Sequence, residues 1–137
     1  IGVNRVLDAH TRQWFDHILE EVLQQMPPLV HQLIEQVPLH VEDYPSPKVL
    51  REHGARYRDE LCGRYTGIPI TQKSVEHSGT LPDVITIYRE GILAAAADRY
   101  GRVSTKRLRK QIRITILHEL GHYHGLSEEE LRQLGYE

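Results

Sequence analysis

The sequence predicts a single α+β domain, in which a small sheet buries one face under several helices. Apolar residues recur with a helical period over 14–26 and 105–124, whereas the short stretches 39–43 and 84–88 alternate or are rich in β-branched residues. Helical and strand patterns follow one another without a repeated strand–helix–strand rhythm. At 137 residues the chain is long enough to bury one core.

The N-terminal half contains three predicted helices around the first strand. The helix over 14–26 ends at Pro27, because proline cannot donate the backbone hydrogen bond that a helix interior needs. A shorter helical pattern runs over 29–37. After the strand, Ser46 is placed as the N-cap of a third helix that Gly54 ends.

The C-terminal half contains two predicted strands followed by helices. The segment 60–70 indicates a short strand that breaks into a Gly/Pro turn, and 84–88 is the clearest strand of the chain. A small helix is predicted over 92–99. The long helix over 105–124 follows, and a final short helix covers 128–134.

The composition excludes several classes of protein. With 39% hydrophobic and 26% charged residues and a net charge of -2, nothing indicates a nucleic-acid or membrane-surface partner. The single cysteine, Cys62, rules out an internal disulfide framework and is interpreted as a small buried hydrophobe. No signal peptide is recognisable, and the longest apolar run, 92–97, is too short to span a bilayer. A cytoplasmic location is therefore the expectation.

One constellation near the end of the chain indicates a metal site. His118 and His122 are four residues apart, so on a helix their imidazoles lie one turn apart and can converge on one ion. Glu119 is turned about 100° from His118 and can reach a metal-bound water without being a ligand. The same polar side of the helix carries Gln111 and Thr115.

A catalytic zinc usually has three protein ligands and keeps a fourth position for water, so a third ligand is needed. Gly125 ends the helix just past the histidines and turns the chain sharply. Such a turn can bring a residue of 127–130 back to the metal. Glu128 is the preferred candidate, although the helix dipole alone also favours acidic residues there. Alternatives are Glu129, Glu130 and the upstream His77.

The segment "HELGHYHG" (118–125) resembles the zincin metallopeptidases, and more closely the small bacterial zincin-like metallopeptidases called minimal zincins. "VEDYPSP", "GRYTGIPIT" and "LPDVITIYR" are similar to segments of that family in the same order. The resemblance covers about 11–136, so 1–10 are taken as an N-terminal tail and 11–137 as one zincin-like domain. It implies a mixed sheet, an active-site helix, and a strand beside that helix that pairs with extended peptide, here 84–88.

The resemblance also implies the chemistry: one Zn²⁺ per chain on His118 and His122, with Glu119 as the general base of peptide hydrolysis. Metzincins place a third histidine three residues after the glycine, where this chain has Glu128. The arrangement with a glutamate on a helix far downstream is disfavoured, because only 15 residues follow His122. Both points support a carboxylate ligand at 128.

Several features stay open at this point. Candidate donors to the reaction's oxyanion are His124, Tyr123, Tyr136 and His77. The expected partner is a peptide or protein substrate, and the sequence does not indicate an oligomeric state. The alternative function is a zinc-stabilised protein-interaction module without peptidase activity, because little of the short chain is left to build a deep substrate subsite. The basic stretch 104–113 is interpreted as a solvated helix face.

Overall fold

The computed structural model of the chain describes residues 7–67 and 83–133, apart from the side chains of Glu128 and Leu131. Helices and strands are mixed along these two ranges, and a 3₁₀ turn at Arg58–Glu60 precedes the second strand. In chain order the elements are α1 (Ala9–Gln25), α2 (Pro28–Gln36), β1 (Leu39–Glu42), α3 (Pro47–His53), β2 (Gly63–Thr66), β3 (Val84–Tyr88), α4 (Arg89–Ala96), α5 (Thr105–Tyr123) and α6 (Glu128–Gln133). The predicted α+β class is therefore confirmed.

The helix termini follow local chemistry. Asp8 caps α1 by accepting a hydrogen bond from the Thr11 amide at 2.7 Å, and the helix ends before Pro27 as predicted. Ser46 and Gly54 cap α3 in the predicted way, with Gly54 in the left-handed region at φ 65°. Because α1 begins at Ala9, it starts slightly before the boundary drawn between tail and domain, and that division stays a prediction.

The sheet is mixed and has the strand order β1-β3-β2. β1 runs parallel to β3 with Leu39 opposite Ile85, and β2 runs antiparallel to β3 with Gly63 opposite Ile87. β3 is therefore paired along both sides. The expectation that 84–88 pairs with extended peptide is wrong, because its backbone hydrogen-bonding groups are already used within the sheet. Among the described residues, β1 and β2 are the edge strands, and β2 is the edge that packs beside α5.

The core lies between the sheet and helices α1, α4 and α5, which pack against one another or against the strands. The predicted apolar stripe of α5 is confirmed, since Leu108, Ile112 and Ile116 are fully buried and Leu120 is nearly so. α1 contributes the facing surface, and the central strand adds two isoleucines. These buried residues are Phe15, Ile18, Leu19, Val22, Ile85 and Ile87. Burial of this apolar surface is the main term that holds α5 in place.

Charged groups fasten α1 to the end of the sheet. Asp43 accepts hydrogen bonds from the guanidinium groups of Arg12 and Arg89, with contacts of 3.0 to 3.2 Å. Burial alone would raise the pKa of Asp43, but these hydrogen bonds outweigh it and hold the pKa below its usual value. Arg89 also binds Asp16 of α1.

Two predicted boundaries shift. The helix predicted over 92–99 is α4, which begins at Arg89 directly after β3 and ends at Ala96. Asp98 instead closes a turn, where its carboxylate accepts from the amides of Tyr100 and Arg102. Among residues 7–67 and 83–133, none of the helices has the length and apolar composition that crossing a bilayer requires.

Candidate metal centre

The two motif histidines lie on the last turns of α5, whose start is capped by Ser104 accepting from the Arg107 amide. Their Nε2 atoms are 3.1 Å apart and the rings meet edge to face, with centroids separated by 4.7 Å. Two nitrogen ligands of one tetrahedral zinc, each bonded at 2.0 to 2.1 Å, lie about 3.3 Å apart. The spacing of His118 and His122 therefore suits one ion.

Glu119 joins this pair. One ligand atom from each of His118, Glu119 and His122 lies within 4.8 Å of the others. The Glu119 side chain is 6% exposed, whereas both histidines are only partly buried. The two imidazole nitrogens are ligands that suit zinc among the common metals, and a carboxylate beside them suits the role of a general base. The predicted grouping of the three residues is thus observed.

These three residues line a cleft of about 660 Å³. One side is α5, and the predicted polar stripe faces it with Gln111 and Thr115. The spacing of the motif residues predicts the α5 side of the cleft. The opposite side is known only from the structure, which shows how the strands pair. The opposite side of the cleft is formed by β2, by the segment before it and by the end of α3. The residues on this side include Leu61, Cys62, Gly63, Tyr65, His53 and Glu60.

The segment 61–63, called here the wall segment, is held from behind by α4. An added Cβ at Gly91 would lie 2.0 Å from the Leu61 carbonyl oxygen, so only glycine lets the two backbones approach this closely. The Cys62 carbonyl accepts from the Tyr88 amide at 2.8 Å. The wall segment is therefore fixed against both α4 and β3.

A partly buried ion pair supports the wall segment from the preceding turn. Arg58 of the 3₁₀ turn donates two hydrogen bonds to Glu90 of α4, at 2.8 and 2.9 Å, and Glu90 is only 5% exposed. The guanidinium also stacks on the ring of Tyr44 at 3.8 Å. A paired, hydrogen-bonded charge of this kind fixes the turn before Leu61 in one orientation.

Cys62 lies between the cleft and the core. Its Sγ donates to the Gly91 carbonyl at 3.4 Å, and burial raises the pKa of the thiol to about 11, with the nearby Glu119 carboxylate adding to the effect. The side chain is therefore a protonated thiol at neutral pH and packs beside the hydrophobic core, consistent with its interpretation as a small hydrophobe.

The turn after the motif forms as the sequence indicates. Gly125 has a left-handed φ of 81°, and the Leu126 amide donates to the Gly121 carbonyl at 3.0 Å. α6 starts at Glu128 immediately afterwards. The Glu128 side chain lies outside the described part of the structure, so its assignment as the third ligand stays a prediction.

The alternative carboxylates next to Glu128 have other partners. Glu130 accepts from the Ser127 amide at 3.1 Å while the Ser127 hydroxyl accepts from the Glu130 amide, so the two residues form a capping box at the start of α6. Glu129 forms an exposed ion pair with Arg132. His77, the upstream alternative, lies outside the described residues.

Two of the four candidate oxyanion donors, Tyr123 and His124, lie away from the cleft. Tyr123 is 5% exposed, packs edge to face against Tyr65 and belongs to the core, so it does not face the cleft. His124 packs edge to face against Tyr123 and is not among the residues that line the cleft. Tyr136 and His77 lie outside the described residues.

Tyr65 was not anticipated from the sequence. It lines the cleft and its hydroxyl donates to Asp83 at 2.7 Å, an interaction that joins the ends of β2 and β3. Burial raises the pKa of Tyr65, and the adjacent Asp83 carboxylate raises it further. The phenol is therefore neutral and forms an aromatic side of the cleft.

Comparison with known proteins agrees with this geometry. The family model described as zincin-like metallopeptidase matches residues 34–136, which include the whole sheet and the motif helix. No curated protein matches the chain. The match covers most of the chain and contains all three motif residues, His118, Glu119 and His122. The chain belongs to the zincin-like metallopeptidase family.

Proposed function

We propose that the protein is a zinc-dependent endopeptidase that hydrolyses peptide bonds of a peptide or protein substrate. The observation that carries the proposal is the convergence of His118, Glu119 and His122 in a cleft of about 660 Å³, in a chain of this family. The cleft also weighs against the view that too little chain is left to build a substrate subsite.

In this proposal His118 and His122 hold the zinc, and Glu119 is the general base. Zinc bound at such a site acts as a Lewis acid and lowers the pKa of a bound water to about 7. The Glu119 carboxylate takes the proton from the attacking water and passes it to the leaving amine. Its position supports this role, because the buried carboxylate lies beside the two histidines in the cleft and not in open solvent.

We keep Glu128 as the proposed third ligand. It is the first residue of α6, directly after the turn at Gly125, which supports its return toward the histidines. Glu130 is used as a helix cap and Glu129 pairs with Arg132, which leaves them less suited to the role. Glu128→Gln should lower zinc affinity strongly, whereas Glu129→Gln, the matched control, should leave it unchanged.

The substrate backbone is assigned to β2 rather than β3. β2 is an edge strand among the described residues, and Gly63 and Tyr65 of this strand line the cleft. The other edge strand, β1, supplies none of the residues that line the cleft. An extended peptide laid along a strand edge gains main-chain hydrogen bonds, independently of the substrate's sequence.

Zinc content and cleavage together test the proposal. We expect about one zinc per chain, as a three-ligand site holds, and cleavage of a peptide library that chelation abolishes. Glu119→Gln should keep the zinc and lose cleavage, whereas Glu20→Gln, at an exposed position of α1, should retain both. Equal cleavage by wild type and Glu119→Gln would refute the assignment of the base.

The same experiment separates the alternative function. A zinc-stabilised interaction module would bind about one zinc and lose much of its melting temperature on chelation, because metal bound only to the folded state stabilises it. Such a module would cleave no peptide of the library. Chelator-sensitive cleavage that depends on Glu119 would end this alternative.

A further inference from the structure

We propose that Gly63 is a positioning residue for Glu119, because the missing side chain at the start of β2 sets where the Glu119 carboxylate lies in the cleft. The inference rests on the proposed role of Glu119 as the general base. Gly63 is not part of the motif and does not have to touch substrate for this role. It acts through the packing of β2 against α5.

The contact is close and specific. A Cβ at Gly63 would lie 2.9 Å from Thr115 Cγ2, 3.2 Å from Glu119 Cγ and 3.2 Å from the Thr86 carbonyl oxygen. Distances below 3.0 Å are essentially never found for real Cβ atoms, so something must move. The backbone itself does not require glycine, because Gly63 is not among the residues with positive φ. Glycine is therefore required at position 63 because a side chain has no room beside α5.

The wall segment cannot withdraw to make this space. Gly63 is paired with Ile87 in the sheet, and the preceding carbonyl of Cys62 accepts from the Tyr88 amide at 2.8 Å. Behind it, the Leu61 carbonyl oxygen packs so closely on Gly91 of α4 that an added Cβ would lie only 2.0 Å from it. A shift of the wall would break these contacts.

α5 cannot withdraw either, because Ile112 and Ile116, on the same side of the helix as Glu119, are fully buried and would lose their place in a close-packed core. A Cβ at position 63 would therefore displace side chains of α5 and not the backbone. Thr115 is β-branched and its hydroxyl donates to the Gln111 carbonyl at 2.8 Å, so its rotamer is held. Glu119 has more rotatable bonds, and its carboxylate is the group that would move.

A small displacement of a general base is costly, since it must stay within hydrogen-bonding distance of the proton that it takes. A misplacement of about 1 Å can lower a rate by about 100-fold. We expect Gly63→Ala to lower kcat by about 10- to 100-fold, on that basis, with KM and zinc content close to wild type. Loss of ligands or unfolding would instead lower zinc content or melting temperature.

A second substitution tests the cause. Thr115→Ser removes Cγ2, the atom nearest to the added Cβ, and keeps the hydroxyl that bonds Gln111. We expect Gly63→Ala combined with Thr115→Ser to recover much of the kcat that Gly63→Ala loses. Thr115→Ser alone provides the reference for the double variant. A double variant no faster than Gly63→Ala would overturn the inference.

The outcomes separate this inference from the proposed function. If the wild-type protein cleaves and Gly63→Ala cleaves within twofold of it, the inference is wrong and the proposed function stands. If Gly63→Ala loses zinc or melts far below wild type, Gly63 is only a structural spacer and the inference is also wrong. If the wild type cleaves nothing, the proposed function fails. Crystal structures of wild type and Gly63→Ala then decide, because an unmoved Glu119 overturns the inference and a displaced one supports it.

Discussion

Replacing Gly91 by alanine tests the packing that fixes the cleft. Helix propensity alone predicts that alanine in α4 stabilises the protein by about 1 kcal/mol relative to glycine. The structure predicts the opposite sign. The new Cβ would lie 2.0 Å from the Leu61 carbonyl oxygen, whereas ordinary contact begins at 3.4 Å, so the wall segment must move by more than an ångström.

The expected loss of stability in Gly91→Ala can be calculated from the packing and the hydrogen bond that the movement disrupts. Overpacking of a filled interior costs about 1 to 3 kcal/mol. Loss of the hydrogen bond from the Tyr88 amide to the Cys62 carbonyl adds about 1 kcal/mol. After the gain in helix propensity, Gly91→Ala should lower the free energy of unfolding by about 2 kcal/mol.

Urea unfolding followed by circular dichroism measures this difference. Gly54→Ala is the control, because Gly54 has a left-handed φ of 65° but nothing within 4 Å of an added Cβ. Its cost of about 1 to 2 kcal/mol reflects backbone strain alone. Gly91→Ala as stable as wild type, or more so, would refute the close approach of α4 to the wall segment.

Three further predictions concern charge, reactivity and the core. Because the pKa of Asp43 is lowered on folding, its stabilising effect is present above pH 3.8 and is lost as the pH falls through the lower folded value. In Asp43→Asn the free energy of unfolding, measured with urea, should therefore fall less steeply than in wild type as the pH drops below about 4. The same pH dependence in both proteins would contradict this. The Cys62 thiol, with its pKa raised to about 11, should react with iodoacetamide at pH 8 at least about tenfold more slowly than an unfolded control; equal rates would contradict its burial. Ile112→Ala should cost about 2 to 5 kcal/mol in the same urea assay, and a loss below about 1 kcal/mol would mean that this fully buried side chain is poorly packed.

The helix α5 and its two histidines could be predicted, because the pattern that indicates them lies within one short stretch of chain. The spacing of Leu108, Ile112 and Ile116 indicates a buried face, and the two histidines lie on a neighbouring face of the same helix. The capping box at Ser127 is likewise a matter of a few adjacent residues. Patterns of this kind involve residues close together in the sequence, so a single segment of the chain contains all of the information.

The cleft's other side could not be predicted in this way. Assigning 84–88 to the substrate failed because strand order depends on which segments pair, and β1 and β2 come from distant parts of the chain. The roles of Gly63 and Gly91 arise from close approaches between elements that no periodicity describes. Tyr65 joins the site only because β2 lies beside α5.

The helix α1 bears on where the folding unit begins. The family match starts at residue 34, yet α1 ends at Gln25 and covers the buried face of α5 with Phe15, Ile18 and Val22. A chain cut at residue 34 would expose that apolar face to water and would also lose Asp16, a partner of Arg89. Its expected fate is self-association rather than folding. For expression of the folded domain, the useful starting point is near Leu7, which is itself buried, and not the first residue that sequence similarity recognises.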